Sequence, residues 1–294
     1  MSNAKIEKVL ENVETALESI NTNEQWLSYI SFASKFRTYS VSNQLLIYLQ
    51  NPEASYVLGY RSWETKFNRH VKKGSKAIQI IAPSLKKVTV IKEPDNPSEY
   101  YDSKAETEIK REIAGFHTVN VFDIQDTEPN AAAVDNIPIL VSGLKGGDED
   151  VLELYNKVLA IVSKELEVVE VVKTASKGSY NTETGQICIR ADLDPIAKLK
   201  TLCHEWSHSI HLSTEEGMNM TRAQKEIIAE SSSYICCQHM GISTEDYSFP
   251  YIKSWMVNGK EDVRAVAEAT QMVANTILNK LAASDAAFSF LVED

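Results

Sequence analysis

Five residues, His204-Glu205-Trp206-Ser207-His208, carry the clearest chemistry in this chain. Two histidines four apart on a helix place two imidazoles on one face, one turn apart, where both can hold a single zinc ion. The glutamate beside the first histidine then stands as general base for the water such an ion activates. It would later hand the proton to a leaving amine. The pattern points to a hydrolase, a peptidase in particular, with Zn2+ as its cofactor.

The element that must position these residues is a buried helix. Trp206 and Ser207 between the histidines are uncharged, as are Leu202, Cys203 and Ser209 around them. That suits an interior where an unpaired charge is costly. Leu199, Leu202, Cys203, Trp206 and Ile210 recur at steps of three and four, one helical face. Asp194 as N-cap and Pro195 at the first helical position predict a helix over 195–212. A second helix, over 221–239 with Thr221 as cap, offers the third ligand. Glu226 and Glu230 share one of its faces, while Ile227, Ile228, Tyr234 and Ile235 supply packing. A histidine pair followed by a downstream glutamate is the gluzincin arrangement. Glu226 is assigned as ligand and Glu230 as the carboxylate that orients a histidine, the exchange of the two being open from sequence alone. Tyr180, His239 and Tyr251 are candidates to stabilise an oxyanion, and Tyr251 joins Glu205 in the catalytic set. The strand over 186–190 has two readings: an edge strand that aligns an extended substrate, or an ordinary core strand.

The chain as a whole has 294 residues, 43% apolar and 24% charged, with a net charge of −11. Those values suit an ordinary soluble protein and disfavour nucleic acid binding over the whole surface. One local exception exists. Arg61, Lys66, Arg69, Lys72, Lys73, Lys76, Lys86 and Lys87 cluster within 61–87, opposed only by Glu64. The start is polar, and no run has the length of a membrane helix. Cys188, Cys203, Cys236 and Cys237 form no disulfide or metal spacing, so the expected setting is a reducing cytoplasm.

Apolar periodicity predicts helices over 5–20, 26–36, 43–50 and 61–68. Strands follow over 77–82 and 87–92, flanking a connection at Pro83-Ser84, and over 118–124. Residues 93–110 read as a loop. Beyond them come a helix over 148–166, short strands over 168–173 and 186–190, the two helices of the histidine motif, and helices over 251–257 and 261–281. The expected class is α+β: an N-terminal helical and β unit at 1–125, a linker at 126–138, and a mainly helical unit with a small sheet at 139–294.

The C-terminal residues 203–208 and Glu226-Ile227-Ile228-Ala229-Glu230 resemble zinc metallopeptidases of the ImmA/IrrE type, although those commonly carry Asn or Asp where Glu230 stands. A wider resemblance covers both halves. Residues 36–47, Gly59-Tyr60-Arg61-Ser62-Trp63, residues 71–78 and 119–125, and Tyr251-Ile252-Lys253-Ser254-Trp255 look like ArdC-type antirestriction proteins. That resemblance implies a single-stranded-DNA-binding N-terminal domain joined to a gluzincin-like metallopeptidase domain, on a protein of plasmids and other mobile elements. The partners it implies are a protein or peptide substrate and single-stranded DNA, with no membrane.

Single strands are held by a basic groove and stacking rings. Tyr39, Tyr56, Tyr60, Trp63 and Phe67 interleave with Arg61, Lys66, Arg69, Lys72, Lys73 and Lys76, which are the DNA-binding candidates. Trp63 and Phe67, four apart, are read as core. Asn43 is either a buried hydrogen-bonding residue or a DNA contact. The competing function class is a non-catalytic antirestriction or DNA-binding protein with a structural zinc. A structural site has no use for a general base at position 205.

Overall fold

Four helices lie within the first 67 residues, and the second and third are opened by side-chain caps. The structure is a computed structural model that describes residues 2–91, 107–130, 137, 147–172, 176–244 and 260–291. Helix α1 (Ser2–Ser19) buries Val9, Val13 and Leu17 along one face. Helix α2 (Asn23–Ser34) opens on a capping box between Thr22 and Gln25, and α3 (Val41–Gln50) is capped by the Ser40 hydroxyl. Helix α4 (Tyr60–Phe67) stops at Asn68, whose φ of 50° is left-handed.

Three strands, β1 (Val57–Gly59), β3 (Ile78–Ile91) and β4 (Thr107–Asp123), form an antiparallel sheet in the order β1-β4-β3. A second pair joins β2 (Arg69–Val71) to β5 (Thr127–Pro129), so residues at the start of the expected linker are paired strand. The sequence expectation of two strands broken at Pro83-Ser84 is corrected: β3 runs through Pro83. It is an edge strand, where a missing N–H is tolerated. The register shifts at Ser84/Leu85, opposite Gly115, whose φ of 152° suits glycine. The strand expected over 118–124 likewise begins at Thr107, inside the stretch read as loop. Residues 93–106 of that loop lie outside the described residues.

The open edge of β3 is closed by side chains. The Asn43 amide donates to the Ile81 carbonyl and accepts its N–H, both at 2.9 Å. Gln50 does the same at Gln79. Asn43 is therefore a structural residue of this edge. Asp123, fully buried, accepts the N–H groups of Ser55, Tyr56 and Gln125 and fixes the turns beside β1.

The C-terminal half runs α5 (Asp148–Val162), β6 (Val168–Val171), β7 (Gly178–Tyr180), β8 (Ile187–Arg190), α6 (Pro195–Leu212), α7 (Glu215–Asn219), α8 (Arg222–His239) and α9 (Lys260–Ser284). A 3-10 segment, Ala286–Leu291, follows. The strand order is β6-β8-β7, with β8 parallel to β6 and antiparallel to β7. Strand β8 is thus central, with Ile187 and Ile189 fully buried. The edge-strand reading of 186–190 is corrected: the edge belongs to β7, which the sequence reading had treated as a connection. The helix expected over 251–257 lies outside the described residues.

Buried apolar side chains run continuously from α1 to the C-terminal segment. In α6, Leu199, Leu202 and Trp206 are at most 1% exposed, and burying each contributes roughly 1.5–3 kcal/mol before ordering entropy is counted. Polar ties cross between the halves. Trp26 Nε1 donates to Ser231 Oγ at 3.1 Å, joining α2 to α8. Arg264 of α9 pairs with Glu14 of α1 at 2.8 Å. His239 Nε2 donates to the Ser34 carbonyl at 2.8 Å.

Buried His211 and half-buried His239 make the fold acid-sensitive. Burial lowers the pKa of His239 to about 4, and it does the same to His211, helped by the charges of His208 and Lys225. An unfolded histidine binds its proton near pH 6.5, so the unfolded chain holds more protons between about 6.5 and 4, and stability falls as pH drops through that window. The urea midpoint of the wild type will fall between pH 7 and pH 5, and a His239→Asn variant will lose less. An equal loss in both would remove His239 from this account.

Among the described residues no helix is long and apolar enough to cross a membrane. The four cysteines are free thiols.

Candidate metal centre and its cleft

Helix α6 starts where its sequence signals place it. Asp194 accepts the Ala197 N–H at 2.8 Å, and Pro195 opens the first turn. Helix α8 starts on the Thr221–Gln224 capping box. The two helices pack against each other and turn His204, His208 and Glu226 toward one point, with all three ligand atoms within 4.8 Å of one another. Glu226 Oε2 lies 3.6 Å from His204 Nε2 and 3.7 Å from His208 Nε2. The imidazole planes stand at 80° with centroids 4.8 Å apart.

Glu230 sits on the other side of His204. The Nδ1–H of His204 donates to Glu230 Oε2 at 3.1 Å, while Glu230 Oε1 pairs with Lys200 Nζ at 2.5 Å. Both partners of that ion pair are buried. The geometry therefore separates the two glutamates: Glu226 faces both Nε2 atoms, and Glu230 holds the far nitrogen of one ring.

The electrostatics follow from these contacts. Burial alone would lower the His204 pKa, but the Glu226 carboxylate 3.6 Å away and the hydrogen bond to Glu230 push it up to about 9. The imidazoles of His204 and His208, 3.6 and 3.7 Å away, hold the Glu226 carboxyl well below the usual range. Glu205 is 6% exposed, and burial raises its carboxyl. Both imidazoles and the Tyr180 backbone N–H, which donates to it, pull the other way. Two imidazoles and one carboxylate turned to one point, with the far nitrogen of His204 held by a second carboxylate, are a donor set that could hold a divalent metal ion.

A cleft of about 640 Å³ opens over this cluster, lined on one side by β7 and on the other by α8. Gly178 is what lets β7 approach. A Cβ there would stand 2.5 Å from Thr201 Cγ2 and 3.0 Å from both the Cys188 carbonyl and Glu205 Oε1. A Gly178→Ala variant will be destabilised by about 1–3 kcal/mol, the range of overpacked interiors. Thr201→Ser, which removes the offending methyl, will recover part of the loss. Urea titration of the three variants checks this. An unchanged midpoint for Gly178→Ala would show that β7 is loosely held.

The other candidates divide. Tyr180 lines the cleft. His239 does not: its ring donates to the Ser34 carbonyl, so the oxyanion candidacy of His239 is corrected. Tyr251 lies outside the described residues. Gly178, Lys177, Lys200 and Arg222 line the cleft but escaped the sequence reading, since nothing in a lone glycine or an isolated cation marks it.

Among the DNA-binding candidates, Arg61, Lys66, Lys73 and Lys76 are exposed. Arg69 donates to the Thr127 hydroxyl and carbonyl, and exposed Lys72 donates to the Gln125 carbonyl, so both help to hold the β5 region. Of the rings, Tyr56, Trp63 and Phe67 pack edge-on or tilted against each other, and Trp63 is fully buried. Tyr39 donates to the Val57 carbonyl. Tyr60, 59% exposed, is the ring of this set that faces solvent most.

Residues 3–122 match the family of the N-terminal domain of anti-restriction factor ArdC. A Bacillus anthracis protein, the uncharacterized protein pXO2-81, is 24% identical over 295 residues, covering 89% of this chain and 49% of its own. The chain thus spans about half the length of that relative. The metal-free crystal structure of the antirestriction protein ArdC from the R388 plasmid has a similar fold, with a TM-score of 0.52 at 18% identity, over 84% of this chain and 86% of that one. The Mn(II)-bound structure of that ArdC protein aligns over the same shares with a TM-score of 0.49. The chain is similar to ArdC in sequence over its N-terminal part and in fold over most of its length.

Proposed function

We propose that this chain is an ArdC-like antirestriction protein in which a zinc metallopeptidase site is coupled to a half that binds single-stranded DNA. The observation that carries the enzymatic part is the convergence of His204 Nε2 and His208 Nε2 on one oxygen of Glu226, with Glu205 beside them in an open cleft. His204, His208 and Glu226 would hold the ion, and Glu230 orients His204. When bound, a divalent ion polarises the substrate carbonyl and lowers the pKa of water. Glu205 takes the proton of the attacking water and passes it to the leaving amine. Its elevated pKa suits both halves of that shuttle. Tyr180 on β7 and Tyr251 are the groups offered for the oxyanion. The antirestriction and DNA parts are supported by the match over 3–122 and by the exposed cations of 61–76.

Metal analysis tests the site. The purified wild type will carry about one zinc per chain, the stoichiometry of a three-ligand site. His204→Ala and Glu226→Ala will each lose most of it. A zinc content that is low in the wild type and does not fall further in either variant would sink the proposal.

A further inference from the structure

The cleft is basic on a protein that is acidic. Among the described residues its lining holds three carboxylates, Glu205, Glu226 and Glu230, against four cations, Lys177, Lys200, Arg222 and Lys225. A bound divalent ion would raise the positive excess from one charge to three, on a chain of net charge −11. The carboxylates are engaged inside the site. Glu226 faces both imidazoles, Glu230 faces Lys200 and His204, and Glu205 accepts the Tyr180 N–H. Lys200 is spent with them. Three further cations line the described walls, Lys177 just ahead of β7 and Arg222 and Lys225 three apart at the start of α8. Arg222 is exposed, and Lys225 is anchored by donating to the Met218 carbonyl at 2.9 Å. With the carboxylates engaged at the floor, the described walls turn cations toward whatever enters, and a concave site focuses their field.

Backbone pairing at β7 is already partly taken. The bonds from Arg190 N–H to Lys177 and from Asn181 N–H to Gln186 turn the peptide groups of Gly178 and Tyr180 away from β8. Of those groups, the Tyr180 N–H serves Glu205 and the Gly178 carbonyl accepts the Ser176 hydroxyl. Recognition falls to side chains on the two walls. We propose that the cleft selects acidic protein segments, with Asp or Glu side chains on either side of the reacting bond seated against Lys177 on one wall and Arg222 and Lys225 on the other. The proposal rests on the peptidase reading of the cleft. A nucleic-acid strand would meet the same cations, but it needs stacking surfaces, and among the described residues Tyr180 is the one ring in the lining besides the two imidazoles.

The test uses the full-length Glu205→Gln protein loaded with zinc, so that binding is read without turnover. Fluorescein-labelled Ala/Glu, Ala/Gln and Ala/Lys peptides are titrated by anisotropy at low and high salt. The acidic peptide will bind about tenfold tighter than the neutral one at low salt, the scale of a few exposed charge pairs. Adding Arg222→Glu will bring the ratio of acidic- to neutral-peptide affinity down to about one. Equal affinity for acidic and basic peptides overturns the proposal. So does displacement of the acidic peptide by oligo(dT) at lower concentration than by unlabelled acidic peptide. An acidic preference in binding, with no peptide cleaved by the wild type, would remove the peptidase reading and leave the charge selection standing. Cleavage of basic peptides as fast as acidic ones would do the reverse.

Discussion

Glu205→Gln will keep its metal and lose hydrolysis by roughly 10²- to 10⁴-fold, the range of a positioned general acid–base group. The substitution is close to isosteric, and a glutamine carbonyl can still accept the Tyr180 N–H that the carboxylate now accepts. Residue 205 is not among the three groups whose ligand atoms converge, so zinc content should match the wild type. What is lost is the ability to take a proton. Glu205 sits 6% exposed with its pKa raised by burial and drawn back by the adjacent imidazoles. That balance puts it nearer neutrality than a solvated glutamate, where a group that both accepts and donates works best. Glu205→Asp retracts the carboxylate by one methylene and should fall between the two. The measurement is cleavage of a mixed quenched-peptide pool alongside metal analysis. Equal rates for wild type and Glu205→Gln, with zinc retained by both, would favour the structural-zinc alternative.

The sequence disclosed the parts of this site that follow local rules. Asp194, Pro195 and the apolar steps of α6 are local signals, and the helix lies where they put it. Thr221 marks the start of α8 in the same way. Four-residue spacing places His204 and His208 on one face whatever surrounds them, and α8 then brings Glu226 to both. The choice between Glu226 and Glu230 needed the rotation of α8 against α6, a tertiary quantity. Strand β7 was missed because three residues, Gly178 to Tyr180, hold no period. Gly178 looks like a turn residue until Thr201, the Cys188 carbonyl and Glu205 are found against it. Strand β3 was cut short because Pro83 reads as a break, yet on an edge it interrupts no ladder bond. Asn43 could not be assigned because its partner, Ile81, lies 38 residues on. Lys200 drew no reading for the same reason: its partner, Glu230, is thirty residues away in sequence.

That Lys200 partnership sets the second large effect. Lys200 is 7% exposed and Glu230 4%, with Nζ and Oε1 2.5 Å apart. Burial alone would raise the Glu230 carboxyl, but His204 and Lys200 together hold it low. Removing Lys200 leaves Glu230 with His204 alone to balance it, and neutralising Glu230 takes the facing carboxylate from Lys200; breaking a buried pair costs about 3–5 kcal/mol at most. Lys200→Met and Glu230→Gln will each lose stability on that scale by urea titration. The double variant, free of any stranded charge, will be more stable than the sum of the single losses implies. Metal affinity separates the two residues. Glu230→Gln replaces the carboxylate that holds His204 Nδ1–H at 3.1 Å, and loss of such a partner weakens metal binding by roughly 10- to 100-fold. Lys200→Met leaves that hydrogen bond in place, so its metal affinity should fall less. Single variants within about 0.5 kcal/mol of wild type, the scale of ordinary surface changes, would mean that water reaches the pair. A metal affinity that follows Lys200 as closely as Glu230 would mean that charge balance, not the orientation of His204, is what Glu230 supplies.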